Sequence, residues 1–336
     1  MGFRLLPPAS ARWLLLATLP FLFGCINVSK LPDGFAYEGV ERPASHVRFL
    51  TDLTWVDEFG DRHFEQEIFD EVFRLVNSAE RFVLLDMFLY NNFQGKVPER
   101  HRQLSTELTE VLISRKEQYP DLQIIVITDP INTVYGGMVS NHLDALRAAG
   151  IQVIETDLDA LPDSNPCYSL PWRLLVRPFG NAEGGFMPNP FGQGRISVRS
   201  WLKLLNFKAN HRKVLVADDG DRLTGLVTSA NPHDGSSAHR NDALVFSGQA
   251  ARDLLESEFA IFDMAQLERP ELNQNDVEQE GEGEGEGELE GEREEPYRVQ
   301  VLTEGRIKEA ALRLIDGSAS GDEIDLAMRS EERRVG

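Results

Sequence analysis

The segment Asn210-His211-Arg212-Lys213-Val214-Leu215-Val216-Ala217-Asp218 gathers the groups best suited to chemistry. Four apolar residues between Lys213 and Asp218 predict a strand. Side chains two apart on a strand share a face, so His211 and Lys213 are expected to point the same way at its entry. A histidine beside a fixed cation suits a phosphate ester, because imidazole can attack or protonate while ammonium holds the anion. The turn Asp218-Asp219-Gly220-Asp221 closes a hairpin whose return strand ends in Thr228-Ser229-Ala230-Asn231. Ser229 and Asn231 share a face there, and are expected to bring a hydroxyl and an amide beside His211. His233 and His239 follow in a Pro/Gly/Ser-rich loop and read as solvated. With His211 they lack a recognisable metal-ligand spacing. His46, His63, His101 and His142 have no partner pattern and are expected at the surface.

The elements that must position these groups alternate between strands and helices. Val47–Leu50 predicts a short strand. Ile68, Phe69, Val72, Phe73 and Val76 give the spacing of an amphipathic helix over Glu65–Asn77. Phe82–Tyr90 is an almost continuous apolar run, as in a strand buried on both faces. A helix over Arg102–Gln118 leads to a strand Gln123–Thr128. A helix near Ser140–Ala149, closed by Gly150, leads to a strand Ile151–Thr156. Asp157–Ser197 is irregular and rich in Pro, Gly and Asn; loops of this length inside a domain usually carry function. A short helix, the hairpin, a strand Ala243–Phe246 and a helix Gln249–Gln266 complete an α/β domain over 40–268.

His-x-Lys-x4-Asp followed by Ser-x-Asn resembles the HKD motif of the phospholipase D superfamily. The resemblance extends over most of 40–268, including Thr128-Asp129-Pro130-Ile131-Asn132 and Asn206-Phe207-Lys208-Ala209-Asn210, and looks closest to the bacterial cardiolipin-synthase-like branch. It implies a layered α/β/α repeat with a mixed sheet. It also implies two such motifs meeting across a pseudo-twofold axis, and a phosphohistidine intermediate formed with no metal or other cofactor. By position, His211 would be nucleophile or general acid and Lys213 would bind phosphoryl oxygens. Asp218 completes the catalytic motif as its acid, read as structural. Ser229 and Asn231 would contact phosphate. An acid usually follows the Asn by eleven residues to orient the histidine; Asp242 stands there, where Glu is commoner. Thr228 replaces the Gly that usually precedes the Ser.

The chain has 336 residues, with 34 basic and 55 acidic side chains and a formal net charge of −21. Eleven acids and one Arg lie between Asp276 and Glu295, so a net −10 falls in that segment and −11 in the rest. A generally basic nucleic-acid surface is excluded, since duplex affinity comes largely from Lys and Arg on phosphates. Two cysteines, Cys25 and Cys167, exclude a disulfide scaffold; Cys167 reads as a buried small residue. Arg4 and Arg12 precede the apolar run Trp13–Phe23, too short to cross a bilayer and suited to a secretory signal. Leu22-Phe23-Gly24-Cys25 resembles the bacterial lipoprotein box. It implies a signal over 1–24, lipidation at Cys25, a tether over 25–39 and an exported lipoprotein facing the periplasm or cell exterior.

The Glu-Gly repeat within 269–295 predicts a disordered, extended linker. Beyond it, Val299–Glu304 echoes Val47–Asp52, Ile307–Ile315 echoes Ile68–Val76, and Ile324–Met328 stands where Val83–Met87 would. Three echoes in one order predict the start of a second repeat over 296–328. Arg329–Arg334 would not suit a buried strand, so 329–336 reads as a truncated or non-native end. The expected activity is phosphatidyl transfer or phosphodiester hydrolysis on phospholipid, with no nucleic acid as partner. The second motif would come from a missing C-terminal part or from a homodimer. The alternatives are a nuclease-type phosphodiesterase and a non-catalytic lipoprotein.

Overall fold

The computed structural model describes residues 28–95, 97–99, 101–270 and 297–319. The signal and Cys25, most of the acidic linker, the strand expected at Ile324–Met328 and the 329–336 end lie outside the described residues.

The strands are β1 (Arg42–Val56), β2 (Arg62–Gln66), β3 (Phe82–Met87), β4 (Gln123–Thr128) and β5 (Gln152–Glu155). They continue with β6 (Met187–Pro188), β7 (Arg195–Ile196), β8 (Lys213–Asp219), β9 (Arg222–Thr228), β10 (Asn241–Ser247) and β11 (Tyr297–Val299). The helices are α1 (Ile68–Ser78), α2 (Leu104–Gln118), α3 (Asn141–Ala148), α4 (Pro166–Pro171), α5 (Val198–Lys203), α6 (Gln249–Ala265) and α7 (Gly305–Asp316). The main sheet runs β11-β1-β10-β9-β8-β3-β4-β5, with β2 also paired to β1, and β6–β7 form a separate ribbon. β3, β4 and β5 are parallel; β3–β8, β8–β9, β9–β10 and β10–β1 are antiparallel. The fold is α/β, as the alternating elements predict, with the mixed sheet that the resemblance implies.

The sheet is covered on both faces, which explains the unbroken apolar run of β3. Val83, Leu85 and Met87 pack with Val72, Leu75, Leu108 and Leu112 of α1 and α2. The alternate residues Phe82 and Leu84 pack with Leu254, Ile261 and Phe262 of α6 on the other side. Each such side chain removed from water contributes about 1.5–3 kcal/mol.

Several boundaries differ from the sequence reading. β1 is fifteen residues rather than four. It carries Pro43 and charged residues because its first part pairs only with β11 and its last part only with β2, outside the apolar centre. β2 has no sequence signature, since four of its five residues are exposed; α1 therefore starts at Ile68, not Glu65. Asp52 on β1 accepts the main-chain N–H of Glu67 and of Ile68 and holds that helix start. β3 stops at Met87 because Phe88–Asn91 bends away to build the site. The hairpin closes at Asp219↔Arg222, with Gly220 at φ +68°, the left-handed conformation that glycine adopts without cost.

Residues 28–39, expected as a free tether, pack onto the domain. Phe35 is buried, and its carbonyl accepts from Arg212 and Thr303. In the segment expected to begin a second repeat, β11 pairs antiparallel with Arg42–Ala44 of β1. The helix expected at Ile307–Ile315 is present as α7.

Candidate active site

The carboxyl ends of parallel strands β3 and β4 and the start of β8 meet at one end of the sheet, the usual binding edge of open α/β sheets. His211 stands there, exposed, two residues before the buried Lys213. Lys213 Nζ donates to the His211 carbonyl at 2.8 Å and lies 3.2 Å from Nδ1 of its ring. The expected shared direction of imidazole and ammonium is thus found. Phe88 completes the group: its ring centroid is 4.6 Å from that of His211 and 5.2 Å from Lys213 Nζ. An accessible imidazole is therefore backed by an aromatic face and a cation held out of bulk water.

Side chains from other strands fix this corner. Phe88 N–H donates to the Arg212 carbonyl at 3.1 Å, extending the β3–β8 ladder. Asn132 Nδ2 donates to the Phe88 carbonyl at 2.9 Å, and Asn132 Oδ1 accepts from the Tyr90 N–H at 2.8 Å. Asn231 Oδ1 accepts the Leu89 N–H at 3.0 Å. On the His211 side, Asn210 N–H donates to Asp129 Oδ2 at 2.8 Å. The Asn210 amide donates to both oxygens of Asp86 and to Thr156 Oγ1. Burial pushes the Asp129 carboxyl up to about 7, against two main-chain N–H bonds that favour its charge.

Arg212, between the two chemical residues, points to the opposite face. It donates to the Ser257 and Phe35 carbonyls and to Glu258 Oε2 at 3.2 Å, with its guanidinium over the Phe35 ring. Glu258 and Asp86 are fully buried neighbours. Desolvation first, then the Glu258 charge, raises the Asp86 carboxyl well above the usual carboxylate range.

The remaining expected site residues are placed differently. Asp218 lies near the far end of β8, at the opposite edge of the sheet, five residues or about 17 Å from Lys213. Its carboxylate accepts the N–H groups of Glu80, Arg81 and Phe82, so its place is structural rather than within the catalytic set. Ser229 turns toward β10: its hydroxyl donates to Asn241 Oδ1 and accepts the Asp242 N–H. Asn231 meets the corner through Leu89, with its amide oxygen engaged in that scaffold. Asp242 lies two strands from β8, about 10 Å across the sheet, with an exposed side chain. Its main-chain carbonyl accepts from Ser229 N–H and Thr228 Oγ1; this placement gives no support to a histidine-orienting role.

His46, His63 and His239 are exposed as expected, whereas His101, His142, His233 and Cys167 differ from the reading. His142 is half-buried between Ser105 and Thr109 and stacks on Tyr90. His101 stacks on Phe64. His233 is held by Ser236 and by the Phe93 carbonyl, and burial lowers its basicity. Cys167 is exposed.

Sequence reasoning missed Phe88, Asp86, Glu258 and Arg212. One signal was available: Asp86 is the lone acid in the apolar run Phe82–Tyr90. Among the described residues, no three His, Cys, Asp or Glu side chains are grouped to hold a metal ion, and no helix is long and apolar enough to cross a membrane.

No family model and no curated protein matches the sequence. Similar solved structures include Nuc from Salmonella typhimurium, a phospholipase D family member, at 12% identity and TM-score 0.34, over 67% of this chain and 96% of that one. NucT from Helicobacter pylori is similar at 10% identity and TM-score 0.29, over 65% and 97%. Polyphosphate kinase from Porphyromonas gingivalis is similar at 10% identity and TM-score 0.30, over 67% and 27%. Likenesses this slight decide neither family nor activity.

Proposed function

We propose that this chain is a phospholipase D-like phosphodiesterase or phosphatidyltransferase acting on phospholipid headgroup esters. The observation that carries the reading is the pairing of an exposed His211 imidazole with the buried Lys213 ammonium at the binding edge of the sheet. In this reading an imidazole nitrogen attacks phosphorus, a P–O ester bond breaks, and Lys213 balances charge on the phosphoryl oxygens. The alkoxide leaves with a proton from a second acid, and water or an acceptor alcohol then displaces the histidine. That acid would be the histidine of a second motif, supplied by a further part of the chain or by a second copy. A lipid anchor at Cys25 would hold the site beside its substrate.

The test is hydrolysis and headgroup exchange on phosphatidylglycerol by the full chain and by its His211→Ala variant, with mass spectrometry of phosphate on His211. Loss of turnover and of the adduct in the variant is expected. Full activity in His211→Ala overturns the reading. Cleavage of DNA and not lipid moves it to a nuclease-type enzyme, and no turnover in either protein to a non-catalytic lipoprotein.

A further inference from the structure

The segment between β5 and β8 leaves and re-enters the sheet at the edge that carries His211. Its charge runs against the rest of the chain: from Trp172 to Lys208 there are six basic residues and one acid, in a protein of net charge −21. It also exposes large apolar side chains. Leu174 is 59% exposed, Leu175 69%, Phe179 70% and Phe186 70%, while Phe207, four residues before His211, is 67% exposed. A soluble surface rarely groups so many without a partner.

These side chains stand on one knitted surface rather than on separate loops. Asn181 Nδ2 donates to the Tyr135 carbonyl at 2.9 Å and to Ser200 Oγ at 2.8 Å, and Asn181 Oδ1 accepts from Ser197 Oγ at 2.5 Å. Arg195 donates to the Phe186 carbonyl, and Arg199 to the Arg177 carbonyl while lying over Trp172. Asp159 and Asp163, on the inner side, neutralise Arg173, Arg177, Lys203 and Lys208. Among the described residues, Arg195 and Arg199 meet no carboxylate. Gly192 packs against Phe93 and Gln94, which ties the surface to the chain leaving β3 at the site.

The geometry points to this surface as a docking face for anionic phospholipid bilayers: Leu174, Leu175, Phe179 and Phe186 enter the headgroup–acyl boundary, while Arg195 and Arg199 meet lipid phosphates. Leucine and phenylalanine beside arginine is the chemistry of interfacial insertion. Nucleic acid would favour stacking and phosphate contacts without exposed leucines. The inference rests on the phospholipid reading and extends it: docking here turns the His211 edge toward the lipid layer.

The test places an environment-sensitive fluorophore on the full chain carrying Cys25→Ser and Cys167→Ser, at Leu175→Cys or, as control, at Glu117→Cys on α2. Vesicles of phosphatidylcholine with phosphatidylglycerol should blue-shift and brighten the label at 175 and leave that at 117 unchanged. The readout is local, so an apolar N-terminus that tethers the whole chain does not produce it. Arg195→Glu should weaken the response about tenfold. His211→Ala should keep it, so failure of the catalytic reading and failure of docking are distinguishable. No response at 175, equal responses at 175 and 117, an equal response to phosphatidylcholine alone, or a response to single-stranded DNA but not to vesicles each overturns the docking face.

Discussion

Lys213 donates its ammonium to the main-chain carbonyl of His211 while lying 3.2 Å from the same residue's ring. The cation is thereby tied to the backbone that carries the imidazole, and the two move as one unit. Lys213 is also buried, so its charge acts on a phosphoryl group with little screening by water.

Replacing Lys213 with Met keeps its length and apolar stem and removes only the charge. On the proposed mechanism, kcat should fall about 10²–10³-fold, with a smaller change in KM. The urea midpoint should stay close to that of the parent. Steady-state kinetics on phosphatidylglycerol check this, and a change confined to KM would contradict it.

Asp218→Ala should damage stability and spare the chemistry. Three main-chain N–H groups, at Glu80, Arg81 and Phe82, lose their acceptor. The expected cost is about 2–4 kcal/mol in urea unfolding. Turnover per folded molecule should be unchanged, since the carboxylate lies at the edge of the sheet opposite Lys213.

Arg212→Met should cost about 3–5 kcal/mol, because it leaves the buried Glu258 beside Asp86 without its cation. Glu258→Gln removes that charge and keeps the shape. The double variant should therefore lose much less than the sum of the singles, and a double-mutant cycle by chemical denaturation measures the difference.

Asp129 sets a pH dependence. Its carboxyl titrates at about 7 in the fold against an ordinary 3.8, so folding favours the protonated form. Stability from this group is fully present below about pH 4, declines as pH rises toward 7, and levels off above, by about 4 kcal/mol at most. Asp129→Asn should be less stable than the parent at pH 4, because its amide cannot accept from both Ile131 and Asn210 N–H groups. That gap should narrow by pH 8. Urea midpoints across this range check it; a constant gap would rule it out.

Elements whose signals are local were legible in the amino-acid order. The two-faced burial of β3 shows in its unbroken apolar run, α1 in its repeat of Ile68, Val72 and Val76, and the hairpin in Gly220 between two strands. The pairing of His211 with Lys213 follows from strand alternation alone. Their surroundings depend on how distant strands come together. Asp218 meets Phe82 across 136 positions of sequence, and Asn132 reaches Phe88 across 44, contacts set by strand register and not by any neighbouring residue. Sheet order likewise put Asp242 two strands from β8 and turned Ser229 toward β10, although the resemblance had grouped the first with the histidine and strand alternation the second. β2 and the packed 28–39 segment were illegible for the complementary reason. Exposed strands carry no apolar period, and a segment that covers a domain takes its structure from the surface beneath it.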